Sequence, residues 1–291
     1  MSAASTVAPR RRAANKVGAS LVPVLAMAVS LSVASPASAR ADILYGVTFG
    51  DQLFTVNPVT GAGTLVGNLS STMSAFGLAA YQNRLYTYDQ VTDRIHELNP
   101  LTGATLSSIN IGAGDLIGEG DVALRPTDGI GFLTVSAGNV GTLYTFNLNT
   151  GTSAIIGGLN GLVESIDGLA FNSANVMYGL SQNTGNLYII NQATGAETLV
   201  GATGVVDQLL SGLAFRDDGS LWAAFTNGNL YRLNVATGAA TLVGATGFTQ
   251  ISGLTALSPS VQATPEPSTV VLLGTALAGL GAFARKRRKD P

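Results

Sequence analysis

The stretch Asn57-Pro58-Val59-Thr60-Gly61-Ala62-Gly63-Thr64-Leu65-Val66-Gly67 holds the reading that decides the fold. A turn phrase, Asn-x-x-Thr-Gly, leads into a short β-prone run, Thr-Leu-Val-Gly. The phrase returns at Asn99–Gly103, Asn147–Gly151, Asn191–Gly195 and Asn234–Gly238, its glycines 42, 48, 44 and 43 residues apart. A period of this length built from strands and turns marks a β-propeller, with one four-stranded blade per repeat. The Asn side chain can bond backbone two residues on, proline pre-sets φ at the second position, and the glycine supplies the left-handed conformation.

Each unit supplies three further strand signals, runs of β-branched and aromatic residues between Gly and Asn clusters. An x-Gly-Leu-Ala-Phe pattern comes first (Gly77-Leu78-Ala79, Asp121-Val122-Ala123, Gly168-Leu169-Ala170, Gly212-Leu213-Ala214, Gly253-Leu254-Thr255). A Leu-Tyr strand follows (Leu44-Tyr45, Leu85-Tyr86, Leu221-Trp222), then a third (Leu53-Phe54, Leu143-Tyr144, Leu187-Tyr188) that ends at the repeated Asn. The first repeat begins at its second strand, and a lone first-type strand, Ser252 to Leu257, ends the series. The expectation is an all-β, five-bladed propeller over 42–260, one blade assembled from both chain ends. That clasp would pair edges otherwise left open.

Both flanks carry addresses. Arg10, Arg11, Arg12 and Lys16, an apolar run from Val17 to about Val33 and an Ala37-Ser38-Ala39 exit predict a signal peptide over 1–39, cut after Ala39 on the general secretory route. Ser268 to Ala284 has no charge and is followed by Arg285-Lys286-Arg287-Arg288-Lys289. This predicts a single short C-terminal transmembrane segment with its basic flank in the cytoplasm and the propeller on the far side. Between the flanks stand five arginines and no lysine against fifteen carboxylates, a net charge of −10. That balance argues against nucleic acid, which needs clustered Lys and Arg. The chain has no cysteine, so its stability must come from packing and ring closure.

Chemistry-bearing residues are few. The single histidine, His96, stands where other repeats have Phe54, Tyr144, Tyr188 and Tyr231, and reads as a packed ring. With one His and no Cys, the common zinc and copper sites lack ligands, and a Ser-His-Asp triad has no base beside His96. If the strands run outward from the axis, one face collects Asp51, Asp89, Asp93, Asp115, Glu119, Asp121, Glu164, Asp167 and Asp207, with Arg94 alone to balance them. The other face, with Arg84, Arg125 and Arg216 beside Asp128, Asp217 and Asp218, is nearly neutral. The acidic face serves solubility, or it holds a hard cation such as Ca2+ on Asp121 and Asp167 near the channel mouth. Asp121 stands out because the other four inner strands have glycine there. Apart from that cation, no cofactor is expected.

Pro265-Glu266-Pro267, the apolar segment and the terminal Arg285-Lys286-Arg287-Arg288 together resemble the PEP-CTERM sorting signal of Gram-negative bacteria, over 265–291. The resemblance implies recognition by an exosortase-type membrane protease after signal peptidase has acted. It also implies passage from a transient inner-membrane anchor to the cell surface, often beside exopolysaccharide and biofilm matrix. The repeats are similar to uncharacterised propeller domains found ahead of such signals. The resulting expectation is a non-enzymatic binding or structural component of the surface or matrix. The alternative is a secreted carbohydrate- or lactone-active hydrolase that uses carboxylates or a bound cation on the acidic face.

Overall fold

A computed structural model describes residues 42–70, 73–112, 118, 120–137, 140–158, 165–205 and 211–258. The predicted signal peptide with Ala37 and Ala39, and the C-terminal signal from Pro265 to Arg288, lie outside the described residues. So do Asp115, Glu119, Glu164 and Asp207. Among the described residues no helix is long and apolar enough to cross a membrane.

Five antiparallel four-stranded sheets make the five blades. Blade 1 contains β1 (Ile43–Thr48), β2 (Gln52–Val56) and β3 (Gly63–Asn68). Blade 2 is β4 (Ala75–Tyr81), β5 (Arg84–Asp89), β6 (Arg94–Leu98) and β7 (Thr105–Asn110). Blade 3 is β8 (Val122–Leu124), β9 (Ile130–Ala137), β10 (Val140–Asn147) and β11 (Ser153–Gly158). Blade 4 is β12 (Ile166–Phe171), β13 (Met177–Ser181), β14 (Asn186–Ile190) and β15 (Glu197–Ala202). Blade 5 is β16 (Ser211–Phe215), β17 (Leu221–Phe225), β18 (Asn229–Leu233) and β19 (Ala240–Ala245). The last strand, β20 (Ile251–Leu257), returns to blade 1 and pairs with β1 from Ile43↔Leu257 to Thr48↔Ile251. The terminal clasp is therefore present, and blade 1 reads β20-β1-β2-β3 from the axis outward.

Burial follows radius. The second strands β5, β13 and β17 are buried along nearly their whole length, because each is sandwiched between neighbouring blades. The outermost strands β3, β15 and β19 alternate between half-buried and exposed positions. Interblade cores form where aromatic rings lie over small residues. Phe54 stacks on Phe248 with ring centroids 4.2 Å apart. Phe76, Tyr88, Ile95, Val122, Leu133 and Phe146 fill the seam between blades 2 and 3.

The repeated turn also links blades. Asn57 Oδ1 accepts N–H bonds from Val59 (2.8 Å) and Thr60 (3.2 Å), and Gly61 takes the left-handed φ of 80°. The Thr60 carbonyl then sits where a Cβ on Gly244 of the preceding blade would be, and Thr102 faces Gly67 and Thr237 faces Gly201 in the same way. These three turns thus pack on the bare backbone of a neighbour's outer strand. Backbone bonds cross the same seams, Gly63 N to Thr246 O at 2.8 Å and Ala240 N to Thr203 O at 3.0 Å.

Candidate functional site

The inner strands β4, β8, β12, β16 and β20 meet around the axis, and the site is built from what their residues place there. Glycines let the backbones close in: a Cβ on Gly253 would collide with the backbone of Gly77 and Leu78, and one on Gly212 with that of Leu254. Asp121, just before β8, fills the gap that remains and is fully buried. Its Oδ1 accepts N–H bonds from Val122 (2.8 Å) and Leu78 (3.2 Å), and its Oδ2 accepts one from Leu169 (2.7 Å). One carboxyl therefore holds backbone from blades 2, 3 and 4. Gly77 adopts φ 62°, and Asp121 Oδ1 occupies the space a side chain there would need.

Burial pushes the Asp121 carboxyl well above the usual carboxylate range; the three N–H donors pull it back down, and neighbouring Asp167 adds to the rise. Asp167 is also fully buried, and its Oδ1 accepts a hydrogen bond from Ser165 Oγ (2.8 Å). Ser165 in turn bonds Ser136 of blade 3. The structure thus brings together the two residues singled out for a cation, in a buried polar cluster tied to backbone and hydroxyl groups. Three of the roughly four acceptor positions of the Asp121 carboxyl are already taken by N–H donors. No group of three or more His, Asp or Glu converges on a common point among the described residues.

The other carboxylates assigned to the acidic face behave differently from a surface patch. Asp89 is buried: its Oδ1 accepts N–H bonds from Ser74 (3.0 Å) and Val91 (3.1 Å), and its Oδ2 accepts from Thr92 Oγ1 (2.6 Å). Asp51 accepts from the Ala75 N–H (3.3 Å), and Asp93 from the Tyr88 hydroxyl (3.1 Å). Of the five described carboxylates on that face, Asp89, Asp121 and Asp167 thus turn inward: Asp89 accepts loop N–H groups, Asp121 N–H groups of the inner strands, and Asp167 a serine hydroxyl. His96 packs on β6 with 12% of its side chain exposed, Nε2 3.6 Å from Asp89 Oδ2. Burial lowers its pKa, and Asp89 works against that fall. Trp222 is buried on β17, its Nε1–H donated to Ser220 Oγ (2.7 Å).

Above the Asp121 floor the inner strands splay into an axial funnel of about 360 Å³. It opens on the opposite face, the one that carries the turns between first and second strands. Ala80, Leu124, Phe171 and Phe215 contribute to its walls; Asn83, Ser173 and Thr255 offer hydroxyl and amide groups. The charged groups at its rim are spoken for. Arg216 donates to Asp42 through Nε (2.8 Å) and lies 3.5 Å from Asp218. Asp217 accepts from Ser258 Oγ (2.6 Å), and its N–H donates to Asp42 Oδ2 (2.8 Å). These bonds lock the first and last described residues of the ring to one turn of blade 5. Sequence reasoning looked for a site among the charges and missed this funnel, whose only trace is the inner-strand pattern of small and apolar residues.

Residues 263–288 match the PEP-CTERM protein-sorting motif. No curated protein sequence matches the chain. Among solved structures, a chain of a nidogen–laminin complex is similar at a TM-score of 0.52 and 12% identity, over 75% of this chain and 98% of that one. Virginiamycin B lyase from Staphylococcus aureus is more distant, at a TM-score of 0.44 and 15% identity, over 66% of this chain and 62% of that one. The first likeness supports the fold alone; the second adds nothing to it.

Proposed function

Because a five-bladed propeller here precedes a PEP-CTERM protein-sorting motif, we propose that the chain is a surface-delivered binding module without catalytic activity, its ligand held in the axial funnel. The observation that carries this reading is the funnel's chemistry. Polar and apolar groups share its lining, hydroxyls and amides among them, and Arg216 and Asp217 at its edge are engaged in holding the ring closed. Convergent polar groups set among apolar ones suit the binding of a small neutral ligand. A sugar unit of an exopolysaccharide or matrix polymer fits that description and the destination. Signal peptidase and an exosortase-type protease would be the processing partners.

The test is a glycan array probed with the released protein and with Ser173→Trp, which places a bulky ring at the funnel mouth. Signals that vanish in the variant, while its melting temperature is unchanged, support the reading. Signals that persist would put the contact elsewhere. Turnover of a bound glycan would favour a hydrolase instead.

A further inference from the structure

The strand that closes the ring also sets where the tether leaves. β20 ends at Leu257 on the funnel face, and Ser258 is held there by Asp217. Only residues 258–267 separate this point from the apolar segment that begins at Ser268, a reach of at most about 35 Å fully extended. A domain of this size has a radius of gyration of about 17 Å and a diameter of about 45 Å. The tether is therefore too short to let the domain turn over.

Two further features distinguish this face. Val59, Leu101 and Val235 lie on the outer turns of blades 1, 2 and 5 and are 83%, 81% and 41% exposed. Those three blades are neighbours in the ring, centred on the blade from which the chain leaves. Three arginines of the face are also ion-paired: Arg84 with Glu97 at 3.3 Å, Arg125 with Asp128 at 2.6 Å and Arg216 with Asp42 at 2.6 Å. The five Asn-x-x-Thr-Gly turns carry no charge at all.

We propose that, while the chain is tethered, the funnel face rests on the lipid surface, with Val59, Leu101 and Val235 in the interfacial layer. The inference rests on the C-terminal motif anchoring the chain. A consequence is that the funnel faces the bilayer until the tether is cut, so ligand binding follows release.

The absence of cysteine makes the test direct. Pro265, Glu266 and Pro267 are replaced by alanine to keep the full chain uncut, and it is reconstituted in phosphatidylethanolamine–phosphatidylglycerol vesicles. Single cysteines, Leu101→Cys on the funnel face and Val91→Cys on the far face (Val91 is 66% exposed), carry an environment-sensitive fluorophore. The expected result is a blue shift, and quenching by headgroup spin-labelled lipid, at Leu101→Cys and neither at Val91→Cys. Equal responses, or a response at Val91→Cys alone, would overturn the orientation. A shift at Leu101→Cys in native membranes but not in vesicles would assign the face to a protein partner and overturn the lipid contact. Failure of the uncut chain to float with the vesicles would remove the tether itself and would count against the sorting reading, a separate outcome read before any fluorescence.

Discussion

Asp121 occupies the place that glycine holds in the other four inner strands, and its carboxyl replaces bare backbone contact with three N–H bonds. Removing it with Asp121→Ala orphans three buried donors. At roughly 1–3 kcal/mol each, the loss should be about 3 kcal/mol or more, read by chemical denaturation. Burial raises the folded-state pKa above the value of about 3.9 expected in the unfolded chain, so the fold holds this proton more tightly. The stability so contributed is complete below the unfolded value and is lost as the pH climbs through the folded one. The melting temperature should therefore fall with rising pH, and Asp121→Asn, shaped like the neutral acid, should flatten that slope. An unchanged slope would show that Asp121 is ionised throughout. The sequence exposed the anomaly at this position. It could not show that the partners are Leu78 and Leu169, which lie 43 and 48 residues away.

The outer hairpin is the element that repeats most faithfully, and its two halves answer to different forces. Asn-x-x-Thr-Gly follows local rules: a side-chain acceptor for two N–H groups and a left-handed glycine, seen at Gly61, Gly103, Gly151, Gly195 and Gly238. The glycine that ends Thr-Leu-Val-Gly has another cause, the carbonyl of the next blade's turn against its Cα. Gly244→Ala drives a methyl group into Thr60 and should cost about 1–3 kcal/mol, as overpacking does. Gly50→Ala, which meets only an ordinary contact, is the control and should change little. Equal effects at both sites would remove the seam as the reason. The turn itself was legible because its rules span five residues. The seam was not, because the contacting residues belong to different repeats.

At the scale of the molecule, the ring is held shut at one place. β20 pairs with β1, while Asp42, Arg216, Asp217 and Ser258 bind the two ends to a turn of blade 5. The described chain ends at this lock, five residues before the PEP-CTERM motif begins. Deleting Pro265–Pro267 should leave the full-length chain in the membrane fraction, whereas the unaltered chain distributes to the surface and medium. Fractionation with an antibody to the propeller reads this directly, and identical distributions would sink the sorting prediction.

The amino-acid sequence by itself determined the blade number, the strand order within each blade, the closure by the last strand and the delivery signal. Each of these is written in spacing or in a contiguous motif. Tertiary structure alone decided what the carboxylates do and where the funnel opens. Counting placed nine acidic groups on one face; folding turned Asp89, Asp121 and Asp167 inward, where buried N–H and hydroxyl donors from other strands and loops need acceptors. The funnel arises from five strands far apart in the chain, brought together by ring closure. No local pattern encodes a cavity whose walls come from every repeat.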